Sequence, residues 1–387
     1  MTMKNGNPRA SSNATERVHT GQVWSDFCDA LKKAGEVILR EKSPKDLLDR
    51  AEGWRYLSRL TRVALEQSVE SGDPAAPQLY RLSHETAKIG ADNPDAYYQN
   101  AILDGRYEYK LSGTRGSVAY IGIGTYSGVY GLDQKIEQTG FLDLHGVEGD
   151  ANGRIEIHLS KDKNPKQKKP GLWLPMRDDT RLLIIRQFRM DWQKDQVARL
   201  SIECLSAPGR TMPANIPDLL SADQIAKGLE DAAKFVYATA DIFAGWAEDF
   251  AENPNDVQQK LTGLGDPNNQ FWHGYWTLEP GQALVLEAMP PKCDAWNFQL
   301  NNYWEESLDF RYFPCHINKH TAKYEKDGSL LIVISAEDPG IGNWMNTVGH
   351  RHGTLGLRWT RAIDPKKPRL RVVPLAELKQ QAAAQNA

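Results

Sequence analysis

The spacing of hydrophobic residues changes twice along the chain, and the first stretch has a helical period. Two segments between residues 21 and 72 place apolar residues among charges at the three- or four-residue spacing of amphipathic helices. The second helix is predicted to begin with Ser43 as N-cap and Pro44 at its first position. Residues 1–20 are rich in Asn, Ser and Thr and offer little to bury, so we expect a disordered tail there.

A β-type pattern follows residue 90. Residues 92–105 read DNPDAYYQNAILDG, and the Pro, Asp and Gly residues of this segment predict a loop. The segments after it alternate apolar and polar positions between Gly, Asn and Asp turns, which is typical of half-buried antiparallel strands. No helical pattern lies between them, as parallel strands would require. These segments are residues 107–111, 117–124, 140–144, 154–159, 181–188 and 198–205.

The helical period returns once, in the middle of the chain. A long helix is predicted at residues 221–252, where Ser221 and Gln224 can form a capping box, and Pro254 ends it. The β pattern then resumes, and a short C-terminal helix with a frayed tail completes the chain. The later predicted strands are residues 274–279, 282–289, 294–304, 330–336, 354–362 and 369–375.

The two β regions resemble each other. Residues 152–160 align without a gap with residues 327–335, which places Asn-Gly over Asp-Gly and Ser160 over Ser335. A turn before an alternating strand is a common local pattern, so chance similarity is the alternative. Because order and spacing agree over several elements, we predict an internal duplication that forms two β-sandwich or jelly-roll modules.

The predicted fold is therefore mainly β with α additions. Two repeated antiparallel modules are joined by a long helix and preceded by a helical hairpin. The predicted divisions are a tail (1–20), a helical region (21–90), the first β module (91–215), a connecting helix (216–265), the second β module (266–376) and a C-terminal tail (377–387).

Composition and net charge limit the kinds of binding partner and the cellular location that we expect. The net charge of -3 gives no broad cationic surface for nucleic acid, and the Lys-rich segment 161–170 is predicted to be a solvated loop. No apolar run reaches the ~20 residues of a membrane span, and the N-terminus lacks the apolar core of a secretion signal. The four cysteines form no CxxC pair, which fits a reducing compartment. We expect a cytoplasmic protein, and without a GxSxG or GxxxxGK[ST] motif we expect no cofactor.

Several short segments of the sequence resemble those of one protein family. The segment DNPDAYYQNAILDGRYEYKLSGTRG (92–116), with DGSL, DPGIGNW, GH and RW nearer the C-terminus, is similar to proteins that carry the domain of unknown function 1214. The resemblance covers roughly residues 90–362. It implies a double β-sandwich or jelly-roll fold and no defined activity. Some members carry a companion domain at the N-terminus, where this chain has its predicted helices.

The densest group of chemically capable residues lies at 327–359. We predict that His350 acts as an acid or base, that Asp338 orients it, and that Arg358 holds an anionic oxygen. In the alternative, Asp338 belongs to a simple turn and Arg358 pairs with Asp309. The predicted substrate-binding residues are Asn343, Trp344, Asp95, Tyr98, Trp304 and Asn318.

We expect no bound metal, and a metal site at the histidines is the alternative. His350 and His352 would lie ~7 Å apart on one face of a strand, and with Asp338 or Glu305 they could bind a first-row metal ion. In the expected case the histidines are merely hydrogen-bonded or exposed.

Three functions fit these patterns. The first is an enzyme that acts on a hydrophobic or oxygenated small molecule, such as a steroid, an aromatic compound or a lipid. It would use His/Asp acid–base chemistry for hydration, elimination, isomerisation or hydrolysis. The second is a non-catalytic protein that binds carbohydrate or lipid through a Trp-rich face. The third is a self-assembling structural jelly roll, which would form homo-oligomers. The first requires His350, Asp338 and Arg358 to share one pocket.

Overall fold

The computed structural model describes residues 8–129, 131–133, 135–163, 171–259 and 265–385, with side chains from residue 13 onward. These residues form five α-helices and 17 strands in four open sheets, so the fold is mainly β with α additions, as predicted. Most of the Lys-rich segment, residues 164–170, lies outside the described residues. No helix within the described ranges has the length and apolar character needed to cross a membrane.

The helices are α1 (Pro8–Thr20), α2 (Gln22–Leu39), α3 (Leu47–Leu65), followed by a π-helical turn (Glu66–Glu70), α4 (Ala222–Ala251) and α5 (Leu375–Gln385). The strands of the first half are β1 (Ala96–Ile102), β2 (Glu108–Thr114), β3 (Tyr120–Tyr126), β4 (Gln138–Asp143), β5 (Arg154–Ser160), β6 (Leu172–Pro175), β7 (Leu182–Phe188) and β8 (Arg199–Ser206). Those of the second half are β9 (Asp256–Gln259), β10 (Asn269–Thr277), β11 (Gln282–Ala288), β12 (Ala295–Leu300), β13 (His316–Asn318), β14 (Leu330–Ser335), β15 (Asn343–Asn346), β16 (His352–Thr360) and β17 (Arg369–Pro374).

Helix α4 packs against α1, α2 and α3 and organises the helical region. It begins with the predicted capping box, in which Ser221 and Gln224 bond to each other's backbone N–H groups. Helix α1 covers most of the predicted disordered tail. It is ordered because Ala14 is buried in the helical core and Arg17 pairs with Asp26 at 3.0 Å.

Helix α3 begins three residues later than predicted. Its N-cap is Asp46, whose Oδ1 accepts a hydrogen bond from the Asp49 backbone N–H at 3.0 Å. Ser43 is buried instead, and its hydroxyl donates to the carbonyl oxygen of Val37 at 3.2 Å, which closes the turn after α2. The helix therefore presents the Asp46 carboxylate at its N-terminal end.

Each half of the β region is a sandwich of two sheets. In the first module the sheets β1-β7-β3-β4 and β6-β5-β2-β8 share one hydrophobic core. In the second module the sheets β13-β12-β16-β10-β9 and β15-β14-β11-β17 share another, which contains Trp276, Trp296 and Trp359. All strand pairs are antiparallel except β5–β6 and β14–β15, which are parallel.

The two modules have matching strand orders. In the sheet β6-β5-β2-β8 each strand has the same neighbours and directions as its counterpart in β15-β14-β11-β17. In the other pair of sheets, β7 lies between β1 and β3 as β16 lies between β10 and β12. Ser160 lies opposite Pro175 in its parallel pair, and Ser335 lies opposite Asn346 in the other.

Residues 96–102 form strand β1 rather than the predicted loop. The strand pairs with β7 along its whole length, and Asn100 also exchanges backbone hydrogen bonds with Tyr80. Tyr97, Tyr98 and Ile102 are strand formers, but the Asp, Asn and Pro residues just before them give a stronger turn signal, and the pairing with β7 decides the conformation. Strand β1 thereby brings Tyr98 to the junction between the modules.

Candidate functional site

A cavity of about 160 Å³ lies where the two β modules meet helix α4. Strands β1 and β7 of the first module, β10 and β16 of the second, and α4 all contribute to its wall. Its aromatic residues are Tyr98, Phe243, Trp246 and Phe271, and its charged residues are Asp92, Arg186, Asp266 and Arg358. A concave, largely apolar site with a few convergent polar groups is the usual form of a small-molecule site.

The two arginines hold matching places in the two modules. Arg186 lies on β7, and its cross-strand partner on β1 is Tyr98. Arg358 lies on β16, and its partner on β10 is Phe271. Because β7 and β16 are the corresponding strands, each module presents one guanidinium and one aromatic ring to the same cavity.

The Arg358 side chain is 5% exposed and has neutral hydrogen-bond partners. It donates to Gln299 Oε1 at 2.6 Å and to the carbonyl oxygen of Ala91, and these bonds use two of its five N–H groups. Its Cζ lies 5.6 Å from the centre of the Phe271 ring. No carboxylate of the described residues forms an ion pair with it within 4.0 Å. Burial lowers the pKa of Arg358, although Tyr98 and the carboxylates of Asp92, Glu305 and Asp95 act in the opposite direction.

Asp266 lies in the wall beside Arg186. The Tyr120 hydroxyl lies 2.7 Å from both carboxylate oxygens of Asp266, and the Asn268 amide donates to that hydroxyl at 3.1 Å. Burial raises the pKa of Asp266, although Arg186 and the Tyr120 hydrogen bond act in the opposite direction. Burial would lower the pKa of Arg186, but Tyr126 and Asp266 outweigh it and raise that pKa.

Asp92 has its own partners near Arg358. Ser307 donates its backbone N–H to Asp92 Oδ1 at 2.9 Å and its hydroxyl to Oδ2 at 2.8 Å. Burial raises the pKa of Asp92, and the positive charge of Lys88 opposes that shift. Both oxygens of Asp92 are therefore engaged by hydrogen bonds of the protein.

The predicted pairing of His350 with Asp338 is not observed. His350 Nε2 lies 2.9 Å from Glu52 Oε2, and its Nδ1 lies 2.9 Å from the carbonyl oxygen of Thr347. Asp338 lies in an exposed turn, where its Oδ1 accepts a hydrogen bond from the Gly340 N–H at 2.8 Å. The partner of His350 comes from α3, which the sequence around residues 327–359 does not reveal.

His350 and Arg358 also lie apart. Arg358 is six residues from the start of β16, a rise of about 20 Å at ~3.3 Å per residue, and His350 precedes that strand. Burial would lower the pKa of His350, but the hydrogen bond and charge of Glu52 raise it. Burial would raise the pKa of Glu52, but His350 lowers it. The alternative partner for Arg358, Asp309, pairs with Arg311 at 2.8 Å.

Asp95 and Asn318 were predicted to bind substrate, and the structure places them in a bridge between the modules. Asn318 Nδ2 donates to Asp95 Oδ1 at 2.7 Å and to the carbonyl oxygen of Met190 at 3.0 Å. Trp192 Nε1 donates to Asp95 Oδ1 at 2.8 Å, and His316 Nε2 lies 2.8 Å from Asp95 Oδ2. These contacts occupy the fully buried Asp95 carboxylate.

The other predicted substrate residues make structural contacts, except Tyr98. Trp304 is fully buried, and its Nε1 donates to the carbonyl oxygen of Asp49 at 2.8 Å. Asn343 Nδ2 donates to the carbonyl oxygen of Lys323 at 2.8 Å, and Trp344 Nε1 donates to a backbone carbonyl at 3.2 Å. Tyr98 lines the cavity together with Arg358. Of the predicted residues, these two share a cavity wall.

A second group of side chains has the composition of a metal site. His352 Nε2 lies 3.2 Å from Asp49 Oδ2 and 3.7 Å from Asp46 Oδ2. The carboxylates thus come from the first turn of α3 and not, as predicted, from Asp338 or Glu305. Burial raises the pKa of Asp49, His352 opposes this, and the Asp46 carboxylate raises it further. An overlapping group is formed by Asp49 with the His350–Glu52 pair.

Sequence reasoning missed most of the cavity. Arg186 is a single charge within the otherwise apolar start of strand LLIIRQF, which is the signal that could have identified it. Asp92 stands in the DNPD motif and was treated as a turn residue. Asp266 lies in a loop and Phe243 lies in α4. Only the tertiary packing of these elements brings the two residues to the cavity.

Comparison with known proteins supports the assignment of the fold. Residues 282–366 match the family described as "Protein of unknown function (DUF1214)". The structure of an uncharacterized protein from Burkholderia cenocepacia is 45% identical, with a TM-score of 0.88 over 94% of this chain and 99% of that chain. A Vibrio parahaemolyticus structure is 11% identical, with a TM-score of 0.48 over 83% of this chain and 98% of that chain, which is too low to inform on function. No curated protein matches. The DUF1214 match therefore lies within the second β module, whereas the similarity to the Burkholderia cenocepacia protein extends over 94% of the chain.

Proposed function

We propose that this protein binds a small aromatic carboxylate in the cavity between its two β modules. The observation that carries the proposal is the buried Arg358 guanidinium, whose partners in the described chain are an amide oxygen and a carbonyl oxygen. Burial of this cation outweighs the nearby charges of Asp92, Glu305 and Asp95, and a ligand carboxylate would offset the remaining cost through two parallel hydrogen bonds.

The cavity size and lining support a single-ring ligand. An apolar cavity of about 150 Å³ is enough to hold benzene, and this cavity has about 160 Å³. Phe243 and Phe271 offer flat apolar surfaces, and Phe271 lies on the strand next to Arg358. An aromatic ring between them with its carboxylate towards Arg358 would satisfy both the apolar and the charged parts of the wall.

The matching strand orders support the inference that the chain arose by internal duplication. The cavity then lies between two copies of one module, with Arg186 and Arg358 as corresponding residues. The pKa of Arg186 is raised by Tyr126 and Asp266, whereas burial lowers the pKa of Arg358, so Arg358 would gain more from a bound anion.

The other functions have less support. Acid–base catalysis by His350, Asp338 and Arg358 needs one shared pocket, and His350 is engaged by Glu52 instead. A carbohydrate or lipid face built from tryptophans needs exposed rings. The tryptophans of the second β module that are at most 1% exposed are Trp276, Trp296, Trp304 and Trp359.

The experiment is calorimetric titration of the purified protein with benzoate and with benzamide. The two compounds have nearly the same shape and differ in charge. We expect benzoate to bind at one site per chain, and benzamide to bind at least about tenfold more weakly because the charge-assisted hydrogen bonds to Arg358 are lost, a difference of about 1.4 kcal/mol. Equal affinity for the two compounds, or no binding of benzoate, would contradict the proposal.

A further inference from the structure

A histidine and two carboxylates meet where helix α3 approaches the start of strand β16. Asp46 is the N-cap of α3, Asp49 lies one turn further on, and His352 is the first residue of β16. One ligand-type atom from each side chain lies within 4.8 Å of the others. This group shares no residue with the cavity between the modules, and it stands independently of the function proposed there.

The separations suit coordination of one ion. Two ligand atoms that each lie about 2.05 Å from a tetrahedral zinc ion are about 3.3 Å apart. His352 Nε2 lies 3.2 Å from Asp49 Oδ2 and 3.7 Å from Asp46 Oδ2. The buried pair behind it, His350 with Glu52, is closer, at the hydrogen-bond distance of 2.9 Å.

Groups outside the cluster orient these ligands. The Tyr275 hydroxyl lies 2.7 Å from His352 Nδ1, so that the ring turns Nε2 towards the carboxylates. The Asp49 backbone N–H donates to Asp46 Oδ1 at 3.0 Å and leaves Asp46 Oδ2 to face His352. A histidine whose second nitrogen is fixed by an outer partner is the usual arrangement of a metal ligand.

One buried oxygen in the group lacks a hydrogen bond. Asp49 is 3% exposed, and its Oδ1 accepts no hydrogen bond from any described residue. The carboxylates of Asp46 and Asp49 lie side by side, although like charges repel each other. A bound cation would offset the repulsion between the two carboxylates and the cost of burying Asp49.

We propose that His352 Nε2 and the carboxylates of Asp46 and Asp49 bind one divalent first-row transition-metal ion, with zinc as the best-suited probe. Mixed imidazole and carboxylate ligands favour such ions over magnesium, which prefers oxygen ligands alone. His352 also lines a solvent-open cavity of about 450 Å³ together with Tyr275 and Tyr303. The ion would therefore keep a coordination position open to water or to another small ligand.

The test measures metal directly. The purified full-length protein is analysed for bound metal by mass spectrometry, and the chelator-treated protein is titrated with zinc by calorimetry. We expect about one zinc ion per chain, and no comparable heat with magnesium. Asp46→Asn and His352→Gln should each weaken zinc binding by more than the 10- to 100-fold expected of Tyr275→Phe, which removes only an outer partner.

The variants are chosen to separate metal binding from folding. Asn caps helices about as well as Asp, so Asp46→Asn should keep α3 intact while it removes one charged ligand. His158→Gln is the matched control. Like His352, His158 lies close to a carboxylate, at 2.9 Å from that of Glu156, but it belongs to no three-residue group of possible metal ligands among the described residues. Absence of zinc binding by the wild-type protein, or unchanged affinity in folded Asp46→Asn and His352→Gln proteins, would overturn the proposal.

Discussion

Arg186 and Arg358 stand at corresponding positions of two β modules and line the same cavity. Burial opposes the charge of both guanidinium groups. Tyr126 and Asp266 outweigh this effect at Arg186 and raise its pKa, whereas at Arg358 burial outweighs the nearby carboxylates and lowers the pKa. The ligand carboxylate that we propose would therefore stabilise the charged form of Arg358.

The affinity for benzoate should depend on pH through Asp266. Burial raises the pKa of this carboxyl group, and a nearby ligand carboxylate would raise it further, so binding should take up a proton. Affinity is then expected to increase as the pH falls through the raised pKa of Asp266. Calorimetric titrations across this range should show the increase, and Asp266→Asn should flatten it.

The control for this pH dependence is Asp364→Asn, which changes an exposed carboxylate that is paired with Lys366 and does not line the cavity. That variant should keep the wild-type profile. A wild-type affinity that falls as the pH is lowered would have the wrong sign for proton uptake by Asp266.

The His350–Glu52 pair should fasten α3 to the second β module. Both side chains are largely buried, and removal of one partner of such a pair costs about 3–5 kcal/mol. We expect His350→Gln and Glu52→Gln to lower the free energy of unfolding in urea, and the double variant to lose less than their sum. The coupling should be on the order of 1–3 kcal/mol in chelator-treated protein.

The same set of two single variants and one double variant, made at His158 and Glu156, provides a matched control. The distance is again 2.9 Å, but these side chains are 25% and 57% exposed. A coupling of about 0–1 kcal/mol is expected because water screens the pair. Equal coupling in the two sets of variants would mean that the buried pair does not fasten α3.

Two helical glycines should respond to alanine with opposite signs. A Cβ at Gly53 of α3 would lie 2.8 Å from Ile38 Cγ2 and from Trp304 Cζ2, so Gly53→Ala should overpack the core and cost about 1–3 kcal/mol. A Cβ at Gly245 of α4 would meet nothing within 4 Å, so Gly245→Ala should stabilise the helix by about 1 kcal/mol. Urea unfolding of both variants measures this difference, and a neutral Gly53→Ala would show that α3 does not pack closely on Trp304.

Hydrophobic periodicity predicted much of the fold. The capping box of Ser221 and Gln224 and most strands of both modules could be located because their signals are local. Helix α1 could not, because tertiary contacts order a segment whose own residues indicate a tail. Strand β1 was obscured by the turn residues of the DNPD segment that directly precedes it. The N-cap at Asp46 was missed because Ser43 and Pro44 form the stronger local signal.

The candidate sites were harder to predict than the fold. Arg358 and Tyr98 were both selected from the sequence, and the structure places both in one cavity wall. The partner of His350 could not be found, because Glu52 lies almost 300 residues earlier and reads as part of an ordinary charged helix face. A site whose residues come from segments far apart in sequence has no characteristic residue spacing, so a single sequence does not reveal it.

The most direct measurement is the dissociation constant of benzoate for Arg358→Met protein beside that for Arg371→Met protein. Methionine fills much of the volume of arginine without its charge, and Arg371 is a half-exposed residue of β17 outside the cavity. We expect Arg358→Met to weaken benzoate binding at least about tenfold, to the level of benzamide, and Arg371→Met to leave it unchanged. Wild-type affinity in a folded Arg358→Met protein would contradict the assignment of this arginine as the anion-binding group.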